Sequence, residues 1–264
     1  MSLLNIFFLH FQQVFHHRLR SLVWFFIPFI QNFPLILFWS GAIKNSTPTA
    51  NWTISSITTY YVFLTIAGTT LTSHIEEDVA KIDIQQGDLV RYLLRPFPYY
   101  WIKFIEELPY RLLQGSYGII LLILSSFVFG KLIQITSDPF IIFMSAIIAI
   151  LAYFLIFTMK MNLGLSAFWF INSRGFFDLF TIILIVFSGG VVPLHLLPSV
   201  FQSFSYILPF AYTAYFPITA LQGQLNITQL FQVAGTQLLW LSILLLLNHT
   251  LWNRGIRKFT AYGQ

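Results

Sequence analysis

Apolar and polar positions follow two patterns along the chain, one short and helical, the other long and almost without charge. Between Ser2 and His17, apolar side chains recur close to every 3.6 residues and polar ones fall mostly between them. This pattern predicts, for residues 1–20, an amphipathic helix that lies in the membrane interface. Arg18 and Arg20 follow the apolar stretch and no small-residue cleavage site appears, so the pattern does not indicate a signal peptide.

Six further segments have the length and polarity of membrane spans, about 20 residues each. They run from Ser21 to Ile43, Trp52 to Thr72, Leu108 to Gly130, Pro139 to Met159, Phe176 to Val192 and Gln229 to Trp252. Pro28 and Pro34 predict kinks in the first span. The apolar stretch from Met161 to Ile171 is short and Lys160 separates it from the fourth span, so we interpret it as a connection in the cytoplasmic leaflet. The predicted fold is all-α, a single transmembrane domain over residues 1–264.

Composition supports a bilayer setting. Of the 264 residues, 57% are hydrophobic and 9% charged, with a mean hydropathy of +0.75; a soluble domain carries about 25% charged residues. The absence of cysteine excludes disulfides, thiolate metal sites and cysteine nucleophiles. The six histidines do not share a ligand spacing with carboxylates, so no metal site is predicted. No GxxxxGK[ST] motif or catalytic Ser/His/Asp set occurs, and nothing indicates that this chain itself hydrolyses ATP.

Orientation follows from the distribution of lysine and arginine. With a cytoplasmic N-terminus, twelve of the 14 basic residues fall on the cytoplasmic side and only Lys44 and Lys131 fall outside. We therefore expect both termini in the cytoplasm. The same asymmetry explains the net charge of +5 without a nucleic-acid partner.

The loop at residues 73–107 holds seven of the nine acidic residues. Asp88 is a suitable N-cap and Pro96 a stop signal, which predicts a helix of about two turns between them. One predicted stripe of this helix is apolar (Leu89, Val90, Leu93, Leu94) and another is charged (Asp88, Arg91, Arg95). A helix this short is only marginally stable in water by itself. We therefore expect it to pack against another surface. A simple solvated loop is the alternative.

Residues 188–227 are apolar but broken by Gly189, Gly190 and four prolines. Irregular backbone at membrane depth survives only where protein or water satisfies its hydrogen bonds. We therefore predict two short re-entrant or interfacial helices on the outer side, Pro198–Leu208 and Phe210–Leu221. An ordinary extracellular loop is the alternative, which the lack of charge between Asp178 and Arg254 disfavours.

Arg174 and Asp178 are four residues apart at the start of the fifth span. This spacing predicts an ion pair near the cytoplasmic interface. An ionisable pair at this depth is a candidate for function, although a structural role fits equally well.

Three stretches resemble the small six-span permease subunits of type-2 ATP-binding-cassette exporters: GDLVRYLLRPFPYYW, SGGVVPLHLLPSVFQSFSYILPFAYTAYFPITALQG and LLWLSILLLLNHTLWNRGIRKFTAYG. The resemblance implies two permease subunits, identical or different, above two cytosolic ATPase subunits that hold ATP and Mg. It also implies a bacterial inner membrane. It places the coupling element at Gly87, Asp88, Leu89, Arg91, Leu93, Leu94, Arg95 and Pro96. It places an outer gate at Gly189, Gly190, Pro193, Pro209, Phe210 and Pro217.

The high content of Phe, Tyr and Trp, 19% of the chain, suits an apolar or amphiphilic cargo, although aromatic residues also fill lipid-facing positions. Two other functional classes stay open. One is a polytopic scaffold or immunity-type protein without transport activity. The other is an intramembrane enzyme, which would need a polar cluster within the spans.

Overall fold

A computed structural model describes residues 3–16, 18–45, 53–71, 74–129, 133–170 and 174–259, and every regular element in these ranges is helical. The α-helices are α1 Leu3–His16, α2 Arg18–Asn45, α3 Ile54–Thr70, α4 Ile75–Glu77, α5 Val90–Leu93, α6 Tyr99–Phe129, α7 Pro139–Leu165, α8 Arg174–Phe187, α9 Ser199–Ile207, α10 Tyr215–Leu221 and α11 Ile227–Gly255. A π-helix, Asp78–Gln85, continues directly from α4. Short 3₁₀ turns occupy Ser166–Phe168, Leu194–Leu196 and Pro209–Thr213.

Helix starts follow local sequence signals. The Asp138 carboxylate accepts a hydrogen bond from the Phe140 amide (2.9 Å) and Pro139 opens α7, where its missing N–H costs nothing. At the start of α11, Asn226 and Gln229 form a reciprocal capping box with bonds of 2.8 and 2.9 Å. These caps satisfy amides that would otherwise be unpaired at the helix ends.

Within the described ranges, four helical segments are long and apolar enough to cross a membrane: Ile54–Gln85, Tyr99–Ser125, Pro139–Phe168 and Ile227–Gly255. They correspond to the second, third, fourth and sixth predicted spans. In α2, which holds Pro28 and Pro34 within one continuous helix, the apolar stretch is Phe26–Trp39. Because α8 has only 14 residues, the count of six spans stays a prediction.

Three predicted span boundaries differ from the structure by five residues or more. Helix α8 ends at Phe187, five residues before the predicted end of the fifth span, because the backbone leaves the helix at Ser188 and Gly189. Helix α6 begins at Tyr99, nine residues before the predicted third span, because the aromatic stretch before that span is itself helical. Helix α7 does not end before Lys160 but continues to Leu165, because the Lys160 side chain is buried against a carboxylate and interrupts nothing. The predicted connection from Met161 therefore consists of the last turn of α7 and the 3₁₀ turn; Ile171 lies outside the described residues.

Helix α3 lies at the centre of the fold. It packs against α2, α6 and α10, and ten consecutive residues, 56–65, are buried. Helix α7 packs against α11, α10 and α4. Outward faces of α6 and α11 expose isoleucine, leucine and phenylalanine, which is the polarity expected of a lipid-facing surface.

The two ends of α3 contact different parts of the chain. Near its start, the Ser56 carbonyl accepts a hydrogen bond from the Gln222 side chain (2.9 Å). At its end, the Arg111 guanidinium donates to the Thr69 carbonyl (3.2 Å). A helix of 17 residues is roughly 25 Å long, so the 188–227 segment and the 73–107 loop lie at opposite ends of the molecule.

Candidate functional site

In the 73–107 loop, the π-helix is followed by a turn at Gly87, whose φ is +85°. Helix α5 then has only four residues, Val90–Leu93, instead of the predicted two turns. The predicted N-cap is wrong: Leu89 occupies the capping position, and Asp88 instead forms an ion pair with Arg91. The reason is that preceding backbone carbonyls already accept the first amide hydrogens, with Leu89 N–H donating to the Asp83 carbonyl at 2.8 Å.

The predicted apolar stripe divides into an anchor and a surface patch. Leu89 is completely buried and belongs to the main hydrophobic core. Leu94 is 83% exposed, Leu93 46% and Val90 40%. We call these three side chains the apolar patch. It lies on a loop that is otherwise rich in charge, so it is a local hydrophobic surface held in place from beneath by Leu89.

Below α5, buried charges connect the loop to α6; we call Asp83, Tyr92, Arg95, Tyr99, Lys103 and Glu106 the inner charge network. The Lys103 ammonium lies 2.7 Å from the Asp83 carboxylate, and both side chains are almost fully buried. Tyr99 donates to the same carboxylate at 2.5 Å. Asp83 belongs to the π-helix and its two partners to α6, so these bonds join the two elements.

A second part of the inner charge network centres on Glu106. Tyr92 of α5 donates to its carboxylate (3.1 Å), Arg95 donates at 3.3 Å and His10 of α1 lies 3.6 Å away. Burial is the main reason that the pKa of Tyr92 rises to about 12, so this phenol keeps its proton and donates at any physiological pH. Lys103 in turn donates to the Tyr92 hydroxyl at 3.2 Å. The loop, α1 and α6 therefore share one carboxylate.

A buried ion pair connects α4 with α7. The Lys160 ammonium lies 2.7 Å from Glu76 Oε1, and the two residues are 2% and 5% exposed. The helices approach closely because Gly164 has no side chain: a Cβ there would lie 2.8 Å from Val79 Cβ and 3.1 Å from the Glu76 carbonyl oxygen. The loop is thus attached to α7 as well as to α6.

Two short α-helices occur in the 188–227 segment. Helix α9, Ser199–Ile207, matches the predicted Pro198–Leu208 to within one residue at each end. The predicted Phe210–Leu221 helix is divided into the 3₁₀ turn Pro209–Thr213 and α10, Tyr215–Leu221. Their depth in a membrane stays a prediction. Gly189 has φ +83°, and its carbonyl accepts a hydrogen bond from Tyr60 (2.9 Å). Tyr61 donates to the Val191 carbonyl (2.7 Å). Two tyrosines of α3 thereby hold the irregular backbone that follows α8.

The other predicted gate residues are distributed along this segment. Gly190 packs so tightly that a Cβ would lie 2.9 Å from the Ile185 carbonyl oxygen. Pro193 immediately precedes a 3₁₀ turn, Pro209 opens the next one, and Pro217 is buried within α10. The Phe210 ring packs against Phe180 of α8 with 5.9 Å between ring centroids. The segment is therefore packed on α3 and α8.

Arg174 and Asp178 do not form the predicted ion pair. Both side chains are exposed, and no ion pair within 4.0 Å joins them in the part of the chain that the structure describes. The i, i+4 spacing puts them on one helix face, but an exposed pair gains too little to hold two side chains together.

The charged pairs that the structure does form were mostly missed, because their partners are far apart in sequence. One signal was available: Lys160 lies inside an apolar run, and a buried lysine requires an acidic partner. Seven acids in one loop supplied the candidates, and Glu76 is the partner. Among the described residues, no group of three or more His, Asp or Glu side chains is arranged to hold a metal ion.

A cavity of about 680 Å³ extends from the Glu76–Lys160 pair to the backbone that follows α8. Glu76 and Lys160 line it at one end, and Ser188, Gly190 and Thr213 at the other. Side chains of α2, α3, α6, α7 and α8 form the walls between them. The cavity has helical walls and is charged at one end and polar at the other, and its volume is typical of a small-molecule site.

The family model for the ABC-2 family transporter protein matches residues 29–263. The chain belongs to this family. Its members are transmembrane subunits of ATP-binding-cassette transporters, generally without catalytic activity of their own, and the family implies association with an ATPase partner. The chain is thus an integral membrane permease, in agreement with its apolar helices. No match is found among curated proteins.

Proposed function

We propose that this permease couples ATP hydrolysis in a partner ATPase to export of an apolar or amphiphilic substrate. The single observation that carries the proposal is the apolar patch, Val90, Leu93 and Leu94, exposed on a loop whose base is locked into the fold. An exposed hydrophobic surface on a rigid support favours a protein partner over solvent. ATP and Mg would be bound by that partner, and this chain would hold no cofactor.

The inner charge network supplies the transmission. A push on α5 would be carried by Tyr92 and Arg95 to Glu106 of α6. The Glu76–Lys160 pair would carry the same displacement into α7, which packs on α10 in the 188–227 segment. Buried charge pairs suit this role because separating one leaves two unpaired charges in a low-dielectric interior.

The 188–227 segment would then act as the outer gate. It holds the outer end of the cavity through Ser188 and Gly190, and Tyr60 and Tyr61 fix its backbone to α3. ATP binding can change access only if the ATPase contacts the permease differently in its two states. The apolar patch provides the contact at which such a difference would act.

In the proposed assembly, two permease subunits, identical or different, stand above two ATPase subunits in a bacterial inner membrane. Both termini and the 73–107 loop face the cytoplasm, as the distribution of lysine and arginine favours. The loop then lies on the side where ATP is available.

Purification of the tagged chain from its native membrane in mild detergent tests the proposal. We expect an ATPase subunit to co-purify in roughly equal amount, and the complex to hydrolyse ATP. If the intact chain is recovered from the membrane without any ATPase, the transport proposal fails and a scaffold without ATPase becomes the better description.

A further inference from the structure

The cavity offers hydrogen-bond acceptors at the end near the 73–107 loop. Glu76 is 5% exposed; its Oε1 accepts from Lys160, but its Oε2 accepts no hydrogen bond from the described residues. Asp178 of α8 lines the same cavity with an exposed carboxylate, and no ion pair occupies it among the residues described. Burying an acceptor without a donor is costly, so Glu76 Oε2 favours a ligand that supplies one. The Asp178 carboxylate adds to the same cavity a negative charge that is unpaired among the described residues.

Cations that line the cavity are already committed. Lys160 is paired with Glu76, and Arg111 is paired with Glu107, whose Oε1 accepts from the guanidinium Nε at 2.9 Å. An anionic ligand would therefore have to break an existing pair, whereas a cationic one would fill unused carboxylate capacity. The remaining wall is largely apolar, with Ile27, Leu35 and Leu64 among its members.

We infer that this cavity binds a cationic amphiphile whose head donates hydrogen bonds, with a primary ammonium as the simplest case. This inference rests on the proposed function and names the chemical class of its substrate. An ammonium has three N–H donors, so it can donate to Glu76 Oε2 and still has donors for other acceptors that line the cavity, among which is Asp178. Such charge-assisted bonds are about twice as strong as neutral ones. The apolar chain would lie along α2 and α3, and the cavity volume of about 680 Å³ is typical of small-molecule sites.

Equilibrium binding to the full-length chain tests this inference without ATP or an ATPase. Radiolabelled dodecylammonium is titrated onto the protein in phosphatidylcholine nanodiscs at pH 7, and binding to empty nanodiscs is subtracted. Unlabelled dodecylammonium, dodecyltrimethylammonium and dodecyl sulfate compete. They share one chain length, so differences in competition report the head group.

We expect saturable binding, strong competition by dodecylammonium, weaker competition by dodecyltrimethylammonium, which has no N–H, and none by dodecyl sulfate. Asp178→Asn should weaken binding about tenfold, as expected for loss of one charge-assisted contact. Because Asp178 is exposed and unpaired in the described residues, this variant should fold normally. The matched control is Asp138→Asn, which makes the same chemical change outside the cavity and keeps a good helix cap.

Equal competition by all three amphiphiles would overturn the inference, because it would show that the amphiphiles partition without recognition of their head groups. Unchanged binding to Asp178→Asn would also overturn it, because Asp178 would then not contact the head group. Binding is measured without ATPase, so it is independent of co-purification. Failure of ATPase co-purification would reject the proposed function even with intact binding, and failure of binding with intact co-purification would reject only the substrate class.

Discussion

Leu94→Asp separates docking from folding at the apolar patch. Leu94 is 83% exposed, so replacing it should change the free energy of unfolding by no more than about 0.5 kcal/mol. Full burial of a leucine side chain in a docked complex contributes about 1.5–3 kcal/mol. Losing that contact corresponds to roughly 10- to 150-fold weaker binding of the ATPase. A charge facing an apolar pocket adds a desolvation cost.

The assay is the amount of ATPase recovered per permease in mild detergent, with thermal unfolding measured on the same samples. Leu93→Asp should behave similarly, because Leu93 belongs to the same patch and is 46% exposed. Gln86→Asp is the matched control: it adds the same charge at an exposed position of the same loop, outside the patch. Leu89→Ala, in contrast, empties a buried site and should cost about 2–5 kcal/mol of stability.

The reasoning is refuted if Leu94→Asp retains the full amount of ATPase while membrane insertion and stability are normal. It is also refuted if Leu94→Asp and Leu93→Asp abolish insertion, since the patch would then stabilise the fold instead of binding a partner.

Three further predictions concern stability and are measured by thermal unfolding in detergent. Lys160→Met leaves the Glu76 carboxylate buried without its partner and should lower the free energy of unfolding by about 3–5 kcal/mol. Adding Glu76→Gln should recover much of this loss. A double variant that is no more stable than Lys160→Met would contradict the pairing. Gly189→Ala should lower the free energy of unfolding by more than about 1 kcal/mol, because φ at this position is +83° and a Cβ would lie 2.5 Å from the Tyr60 hydroxyl. The control is Gly235→Ala in α11, which has open space around it and should be neutral or stabilising. Burial lowers the pKa of His195 from 6.5 to about 4, so between these pH values the unfolded chain binds a proton that the folded one does not. Stability should therefore fall as the pH drops from 6.5 to 4, and His195→Asn should remove that component; an identical pH profile for the variant would argue against it.

Local signals predicted much of the fold. Proline and glycine act on the backbone where they stand, so the breaks at Pro198, Pro209 and Gly189 predicted short helices at positions close to those found. Long uncharged runs predicted the helices α3, α6, α7 and α11 for a similar reason. In both cases the determining interaction is contained in a few neighbouring residues.

The π-helix explains why the loop was predicted less well. Backbone bonds from residue i to i–5 give a periodicity that a 3.6-residue pattern does not represent, and Asp78–Gln85 adopts this form. Asp88 pairs with Arg91 while backbone carbonyls cap the helix. Leu89 and Leu93 share one helical turn, in which the Leu93 N–H donates to the Leu89 carbonyl (3.2 Å), yet Leu89 lies in the core and Leu93 is 46% exposed.

Long-range pairing lay outside the reach of sequence patterns. Glu76 and Lys160 are 84 residues apart, and Asp83 meets Lys103 only because α6 returns beside the π-helix. Spacing along one helix, used for Arg174 and Asp178, predicts proximity but not contact. A charge inside an apolar run indicates that a partner exists; tertiary structure decides which one.

The contact at Gly164 has a consequence for sequence variation in this family. A side chain at that position would collide with Val79 and crowd the backbone carbonyl of Glu76. Glu76 is the residue whose carboxylate pairs with Lys160. Relatives that keep the acid–lysine pair should therefore keep a glycine opposite a β-branched residue here, or change both positions together toward a smaller combined volume. Positions 79 and 164 should therefore covary even though neither carries a charge. This covariation would identify relatives that keep the buried ion pair, even where the apolar helices have diverged in sequence.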